Sequence, residues 1–384
     1  MIAVTMKRLL METSLPWDVV SSPQPEGVSR AVTRLYALLL VTSLFDPPPA
    51  DLNTAGLEEL SEVPGIGRSR ATAIIEYRET VSTFLDLSEL AFVPGIGPGT
   101  VEAVAPFVTV SPPALETTSL HMLETGEPGD TLLTVVFLDV GNGDAVLLRS
   151  RGTSLLVDGG PPADPGIRAP VVQRLIEAGV DSLDAVVFTH PHADHIGGLP
   201  DVIELFDPEI LYDPGIDHPS PVYELLLQTA SEQGTAYRIM RRGDSIPLGP
   251  EASLTVYHLE NRLSVNEASA VFLVELGRFS MLITGDIQET TIRNITLNAF
   301  PVTVMKVPHH GSRTSLFPPW SRRTRPMLAV FCVGRDNPFG HPSPEVVQDW
   351  ASTGATVLRT DMLGDIFLRT DGVRLGVTHS LEAP

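Results

Sequence analysis

Residues Thr189-His190-Pro191-His192-Ala193-Asp194-His195-Ile196-Gly197-Gly198 bring three imidazoles and a carboxylate within six positions, directly after the apolar run Ala185-Val186-Val187-Phe188. At the end of a strand, His190 and His192 lie two apart and point to the same side, while Asp194 and His195 continue around the turn toward a second position. Two metal ions fit that spacing where one would be crowded. Imidazole nitrogen and carboxylate oxygen suit zinc, manganese or iron, and no sulfur ligand is offered. The competing reading is four polar residues on a solvated loop.

Four further loops carry chemistry, each after an apolar run. Asp139-Val140-Gly141-Asn142-Gly143-Asp144 and Val157-Asp158-Gly159-Gly160 are acidic, glycine-rich turns, suited to supporting metal ligands from behind. Ile283-Thr284-Gly285-Asp286 sets a carboxylate where its oxygens can bridge two metals, and Lys306-Val307-Pro308-His309-His310-Gly311-Ser312 supplies two more histidines. Any one of these loops passes for an ordinary turn; five in one segment do not.

These loops require strands to position them. Runs at 132–140, 145–148, 155–157, 185–188, 271–276, 281–283, 302–307 and 328–333 read as strands, and Val171 to Ala178 as a helix, which indicates an α/β layered domain. The single cysteine, Cys332, reads as a core residue of the last run, so disulfides contribute nothing. A chain of 384 residues with 34 prolines and 31 glycines calls for two domains and a linker. The Pro/Ser/Thr/Glu-rich stretch 111–130 is that linker, leaving the metal loops in a domain of residues 131–384.

Ahead of the linker, residues 51–110 repeat themselves. Leu57 to Gly67 ends in Val63-Pro64-Gly65-Ile66-Gly67, and 30 residues later Leu87 to Gly97 ends in Val93-Pro94-Gly95-Ile96-Gly97. Each copy reads as a short helix, a tight turn and a second helix, with glycines that leave the turn amides uncovered. Amides at the start of a helix form a phosphate cradle. With Asp51-Leu52-Asn53-Thr54-Ala55 in front, this stretch resembles a tandem helix-hairpin-helix domain of the ComEA type. The resemblance implies sequence-independent binding of duplex DNA through Gly65, Ile66, Gly67, Arg68, Gly95, Ile96 and Gly97. Three arginines stand against nine acids here, a balance of −6, so that binding is expected to be weak and salt-sensitive. A helical docking module is the bland alternative. The net charge of the whole chain, −21, likewise argues against a broad electrostatic grip on nucleic acid or an anionic membrane.

The ordered set DVGNGDA, LLVDGG, THPHADHIGG, ITGD and KVPHHGS resembles the metallo-β-lactamase-like domain of ComEC-type competence proteins. The resemblance implies a four-layer αβ/βα sandwich with its site at one edge, accompanied by the small all-α hairpin domain on the N-terminal side. It implies two divalent ions, zinc or manganese, and no organic cofactor. His190 and His192 would hold one metal, Asp194 and His195 the other, with Asp286 bridging. His309 completes the second site and His310 faces substrate, the order within this pair being open. His341, in Gly340-His341-Pro342, matches a GHP element and is assigned to substrate contact, with a turn histidine as the equal alternative. The further histidine of lactamase-like enzymes has no counterpart: Ser264 to Ser269 stands in its place, and His218 and His258 are read as structural.

The expected function is a dinuclear-metal hydrolase that generates hydroxide as nucleophile, with Asp194 or water moving protons. A phosphodiesterase or nuclease acting on DNA, related to competence and DNA uptake, is the leading reading. A small-molecule phosphoester or lactone hydrolase and a non-catalytic DNA-binding protein are the alternatives. The channel segments of full-length ComEC proteins are missing from the sequence, which leaves translocation to a separate membrane channel protein. Residues 1–50 are read as a leader, in which Arg30 and Arg34 precede the apolar run Leu35 to Phe45. That run is too short to span a bilayer but resembles a signal core, so an exported and a cytoplasmic location are equally open.

Overall fold

The computed structural model describes residues 48–111, 123–164, 166–261, 263–296 and 298–381. The leader through Pro47, with its signal-like run, lies outside the described residues, as does the linker at 112–122. Among the described residues no helix is long and apolar enough to cross a membrane.

The hairpin region runs from α1 (Leu57–Glu62) through a turn to α2 (Gly67–Thr80), then a 3-10 helix (Leu87–Phe92), a second turn and α3 (Pro98–Val104). The second copy thus begins with a 3-10 turn, capped by the Asp86 carboxylate accepting from Ser88 N at 2.7 Å, instead of the α-helix of the first. Leu60, Ile74, Leu90 and Val104 form its core, with Tyr77 stacked on Phe84 at 5.2 Å between centroids. Gly65 and Gly67 adopt φ of 93° and 61°, the left-handed region the turn requires.

Beyond the linker, two sheets lie face to face. One follows the order β1 (Glu124–Thr125), β16 (Arg374–His379), β15 (Ile366–Thr370), β2 (Leu133–Phe137), β3 (Val146–Ser150), β4 (Thr153–Val157), β5 (Ala185–Val187), β6 (Ile210–Asp213) and β7 (Ala236–Ile239). The other follows β8 (Ser245–Leu248), β9 (Ala252–His258), β10 (Val271–Leu276), β11 (Phe279–Ile283), β12 (Val304–Lys306), β13 (Leu328–Phe331) and β14 (Thr356–Arg359). Alternation along the strands explains the layering. Val135, Phe137, Val146, Leu148, Leu155 and Val157 meet Leu254, Val256, Phe272, Val274, Met281 and Val330 between the sheets. Their neighbours Val136, Leu147, Leu156 and Val186 face outward onto α4 (Pro170–Glu177), the short α5 (Ala193–Ile196), α6 (Leu199–Phe206) and α7 (Pro221–Gln233). Over the second sheet lie α8 (Glu289–Thr296), α9 (Pro318–Thr324) and α10 (Pro344–Ser352), where Trp320 and Trp350 meet edge to face at 5.8 Å. The architecture is a four-layer αβ/βα sandwich, as the resemblance implied. Glu124–Thr125, inside the stretch read as linker, pairs with Arg374–Leu375 and so belongs to the sandwich.

Strands β4 to β7 are parallel, and so are β11 to β14. Their carboxyl ends emerge on one edge, the place where open α/β sheets present ligand-binding loops. The hairpin region docks on α9: Arg322 pairs with Asp86 and, at 3.4 Å, with Glu89, while Arg323 donates to Ser82 Oγ at 2.7 Å and Thr83 Oγ1 at 2.9 Å. Phe92 packs edge-on against Phe317 at 5.5 Å.

Candidate metal centre

The loops at the sandwich edge interlock through their backbones. Asp144 N donates to Asp194 O at 3.2 Å, Gly159 N to His195 O at 2.6 Å, Ala270 N to Thr189 O at 2.9 Å and His309 N to Gly285 O at 3.1 Å. Approach this close demands missing side chains: a Cβ on Gly143 would collide with Asp194 O, and one on Gly285 would lie 2.8 Å from Thr189 Cβ.

Ligand atoms of Asp194, His195, Asp286 and His310 all fall within 4.8 Å of one another. His195 Nε2 is 3.3 Å from Asp286 Oδ1, and His310 Nε2 is 3.4 Å from Asp194 Oδ2 and 3.6 Å from Asp286 Oδ2. The outer nitrogen of each ring is engaged: His195 Nδ1 donates to Asp158 Oδ2 at 2.9 Å, and His310 Nδ1 to Cys332 O at 2.9 Å. Anchoring from behind sets the tautomer and leaves Nε2 as the ligating atom. Consistent with that, His195 Nε2, His310 Nε2 and Asp286 Oδ1 are buried with no hydrogen-bond partner. Buried polar atoms are ordinarily satisfied, so three orphans aimed at one spot fit a divalent cation bound by nitrogen and oxygen.

His190 adjoins this group, its Nε2 3.1 Å from His192 Nδ1 and 3.9 Å from Asp286 Oδ2, with Nδ1 held by Thr189 Oγ1 at 3.1 Å. His192 itself is partly exposed beside the group. Next to it stands His218, whose ring is 5.3 Å from that of His192. Sequence reasoning set His218 aside; its signal was its place in the loop after β6, the parallel neighbour of β5. His258 ends β9 beside a separate cavity lined by Arg242, Tyr257, Glu260 and Asn294, with none of the centre's residues.

Within the histidine pair, left open by the sequence, His310 approaches Asp194 and Asp286 from the buried side. Both residues take left-handed backbone, φ 50° at His309 and 53° at His310, and the hydrogen bond to Cys332 O turns His310 inward. His309 faces the mouth, with Nε2 3.7 Å from Asp286 Oδ2 and Nδ1 3.0 Å from Thr314 Oγ1 and 3.3 Å from Gln288 Nε2. The ring of His341 lies 5.8 Å from that of His309. Asn337 holds His341 by accepting from its N–H at 3.0 Å and donating to its carbonyl at 2.6 Å.

Charge is balanced in depth. Buried Lys306 pairs with Asp144 and donates to Gly285 O at 3.1 Å; burial lowers its pKa, but Asp144 and Asp286 more than offset that and raise it. Burial also disfavours a charged His310, yet Asp286 and Asp144 push it up to about 10. His195 is raised in the same way, against burial, by Asp286, Asp158 and Asp194. Burial favours protonation of Asp286, but His310 and His195 hold it well below the usual carboxylate range. His190 is kept neutral by burial and by the adjacent His195. The acids of the centre thus draw positive charge to this spot, a proton on His195 and His310 or, in its place, a divalent cation.

In the hairpins, Ile66 and Ile96, each 4% exposed, point into the core, and their amides bond to Val63 O and Val93 O at 3.0 Å. Arg70 reaches Gly65 O at 2.6 Å and Gly95 O at 3.0 Å, tying the two turns together, while Arg78 donates to Leu52 O and Ala55 O at 2.8 Å. Gly65, Gly67, Gly95, Gly97 and Arg68 remain at the surface.

Comparison with known proteins agrees with this anatomy. Residues 138–326 match the metallo-beta-lactamase superfamily and residues 49–109 a helix-hairpin-helix motif. ComE operon protein 3 of Bacillus subtilis is 29% identical over 61% of this chain and 33% of its own length. Competence protein ComA of Neisseria gonorrhoeae is 27% identical over 60% of this chain and 31% of its own. The chain thus spans about a third of the length of these relatives. Among solved structures, Igni18, a metallo hydrolase of Ignicoccus hospitalis, covers 61% of this chain and 98% of its own at 15% identity and a TM-score of 0.44.

Proposed function

We propose that this chain, whose residues 138–326 match the metallo-beta-lactamase superfamily and which is similar to ComE operon protein 3 and competence protein ComA, is a phosphodiesterase that hydrolyses DNA at a dinuclear centre. The observation that carries this reading is the convergence of orphaned nitrogen and oxygen atoms from His195, Asp286 and His310 in a chain that also matches a helix-hairpin-helix motif.

His190 and His192 would hold one divalent ion and Asp194, His195 and His310 the other, with Asp286 contributing a further carboxylate. When bound, the ions supply Lewis acidity, lowering the pKa of water toward neutrality and offsetting the charge that builds on a phosphodiester. Asp194, whose side chain is 33% exposed, is placed to relay a proton between the centre and solvent. His309 and His341, at the mouth, orient the phosphate and face the leaving group. Asp158 and the Cys332 carbonyl fix the tautomers of His195 and His310 throughout. The hairpins hold the DNA backbone through the amides of Gly65, Gly67, Gly95 and Gly97 and through Arg68, weakly and without sequence preference. A separate membrane channel protein is the partner that would take up a processed strand.

The test is an assay of the full chain, stripped and reloaded with zinc, manganese or magnesium, on single- and double-stranded DNA and on a chromogenic phosphodiester. DNA cleavage that vanishes in Asp286→Ala, with unfolding temperature nearly unchanged, is the expected result. Cleavage of the chromogenic ester alone would reassign the chain to small-molecule chemistry, and inactivity with every metal would refute hydrolysis.

A further inference from the structure

The loop that follows β13 carries an aromatic ring that no part of the proposed chemistry uses. Phe339 is 65% exposed. Scattered exposed apolar side chains are ordinary on protein surfaces, so exposure alone carries little. What distinguishes Phe339 is its position at the end of a series of rings leading out of the centre. His309 Nε2 is 3.7 Å from Asp286, the His341 ring lies 5.8 Å from that of His309, and the Phe339 ring lies 6.0 Å from that of His341 at an interplanar angle of 21°. The loop is also braced: besides its two bonds to His341, Asn337 donates to Gly334 O at 3.1 Å. A nearly parallel, supported and open ring at the mouth of a phosphate-directed site has the properties of a stacking surface.

We infer that Phe339 is a stacking platform for a nucleobase next to the phosphate held in the centre, an inference that rests on the DNA-directed reading above. Stacking is indifferent to base identity because every base presents a π-face. The platform therefore suits a chain whose hairpins grip backbone and not sequence. It aligns the strand so that the neighbouring phosphate meets His341, His309 and the metal ligands in turn. An unpaired strand is the form that can splay a base onto such a ring.

The test uses the metal-loaded full chain and a single-stranded oligonucleotide, intact or with one abasic residue moved stepwise along it, for the wild type, F339A and F339W. The expected result is a KM raised roughly tenfold in F339A with kcat within about twofold, and recovery in F339W. One abasic position raises the wild-type KM by the same factor and leaves F339A unaffected. If F339A cleaves the intact strand with unchanged KM, or the abasic scan is flat in a wild type that cleaves DNA, the platform is overturned and the nuclease reading stands. If the wild type cleaves no oligonucleotide with any metal, the nuclease reading fails and the platform with it.

Discussion

At the scale of single residues, the centre depends on what stands behind its ligands. His195 points Nε2 at Asp286 because Asp158 holds its Nδ1, and Asp158 is itself anchored by Thr189 N at 2.7 Å and Thr189 Oγ1 at 2.9 Å. Removing that carboxylate leaves the ring free to rotate or change tautomer. Asp158→Ala should lower metal affinity by roughly 10–100-fold, as losses of such supporting partners do. Competition titration against a chromogenic chelator measures it; an unchanged affinity would mean that packing alone orients His195. The pair His309 and His310 shows the same logic, since the Cys332 carbonyl turns His310 inward, at 2.9 Å from its Nδ1.

At the scale of elements, the parallel strands β5, β11, β12 and β13 deliver their loops to one edge, and tight backbone contacts set the spacing between loops. Gly285 is the sharpest case, with φ of 50° and a Cβ position 2.8 Å from Thr189 Cβ and 2.9 Å from Thr189 Oγ1. Gly285→Ala would force apart the loops that carry His190 and Asp286. A destabilisation of roughly 1–3 kcal/mol is expected from the backbone conformation alone. Urea unfolding gives that figure, and metal stoichiometry on the same sample reads the displacement of Asp286; native values of both would show that the loops are not wedged. The hairpins have their own brace in Arg70, which bridges the carbonyls of both turns.

At the scale of the whole molecule, charge sets the terms for any encounter with DNA. The chain carries −21, and two of the three hairpin arginines hold main-chain carbonyls, so Arg68 is the surface cation of the first hairpin turn. Arg68→Ala should weaken binding equally for all sequences and reduce the salt slope of log K by about 1. Fluorescence anisotropy across a salt series checks this, and an unaltered slope would show that Arg68 contacts no phosphate. The ion pairs from Arg322 to Asp86 and Glu89 join the hairpin region to α9.

Much of the centre was legible in the sequence because the chemistry is local. The spacing of His190, His192, Asp194 and His195 fixes their relation through strand and turn geometry, and the turns at Asp158, Asp286 and His309-His310 each follow an apolar strand. The repeated hairpin was equally plain, since each copy is a continuous stretch. Tertiary structure alone decided which of His309 and His310 turns inward, because that rests on a carbonyl 22 residues away in sequence. It also decided that Lys306 neutralises Asp144, that His218 adjoins His192, that Ile66 and Ile96 are core residues, and that Arg322 meets Asp86. Backbone geometry governs neighbours along the chain, whereas these pairings arise only when two sheets and the helices covering them pack together.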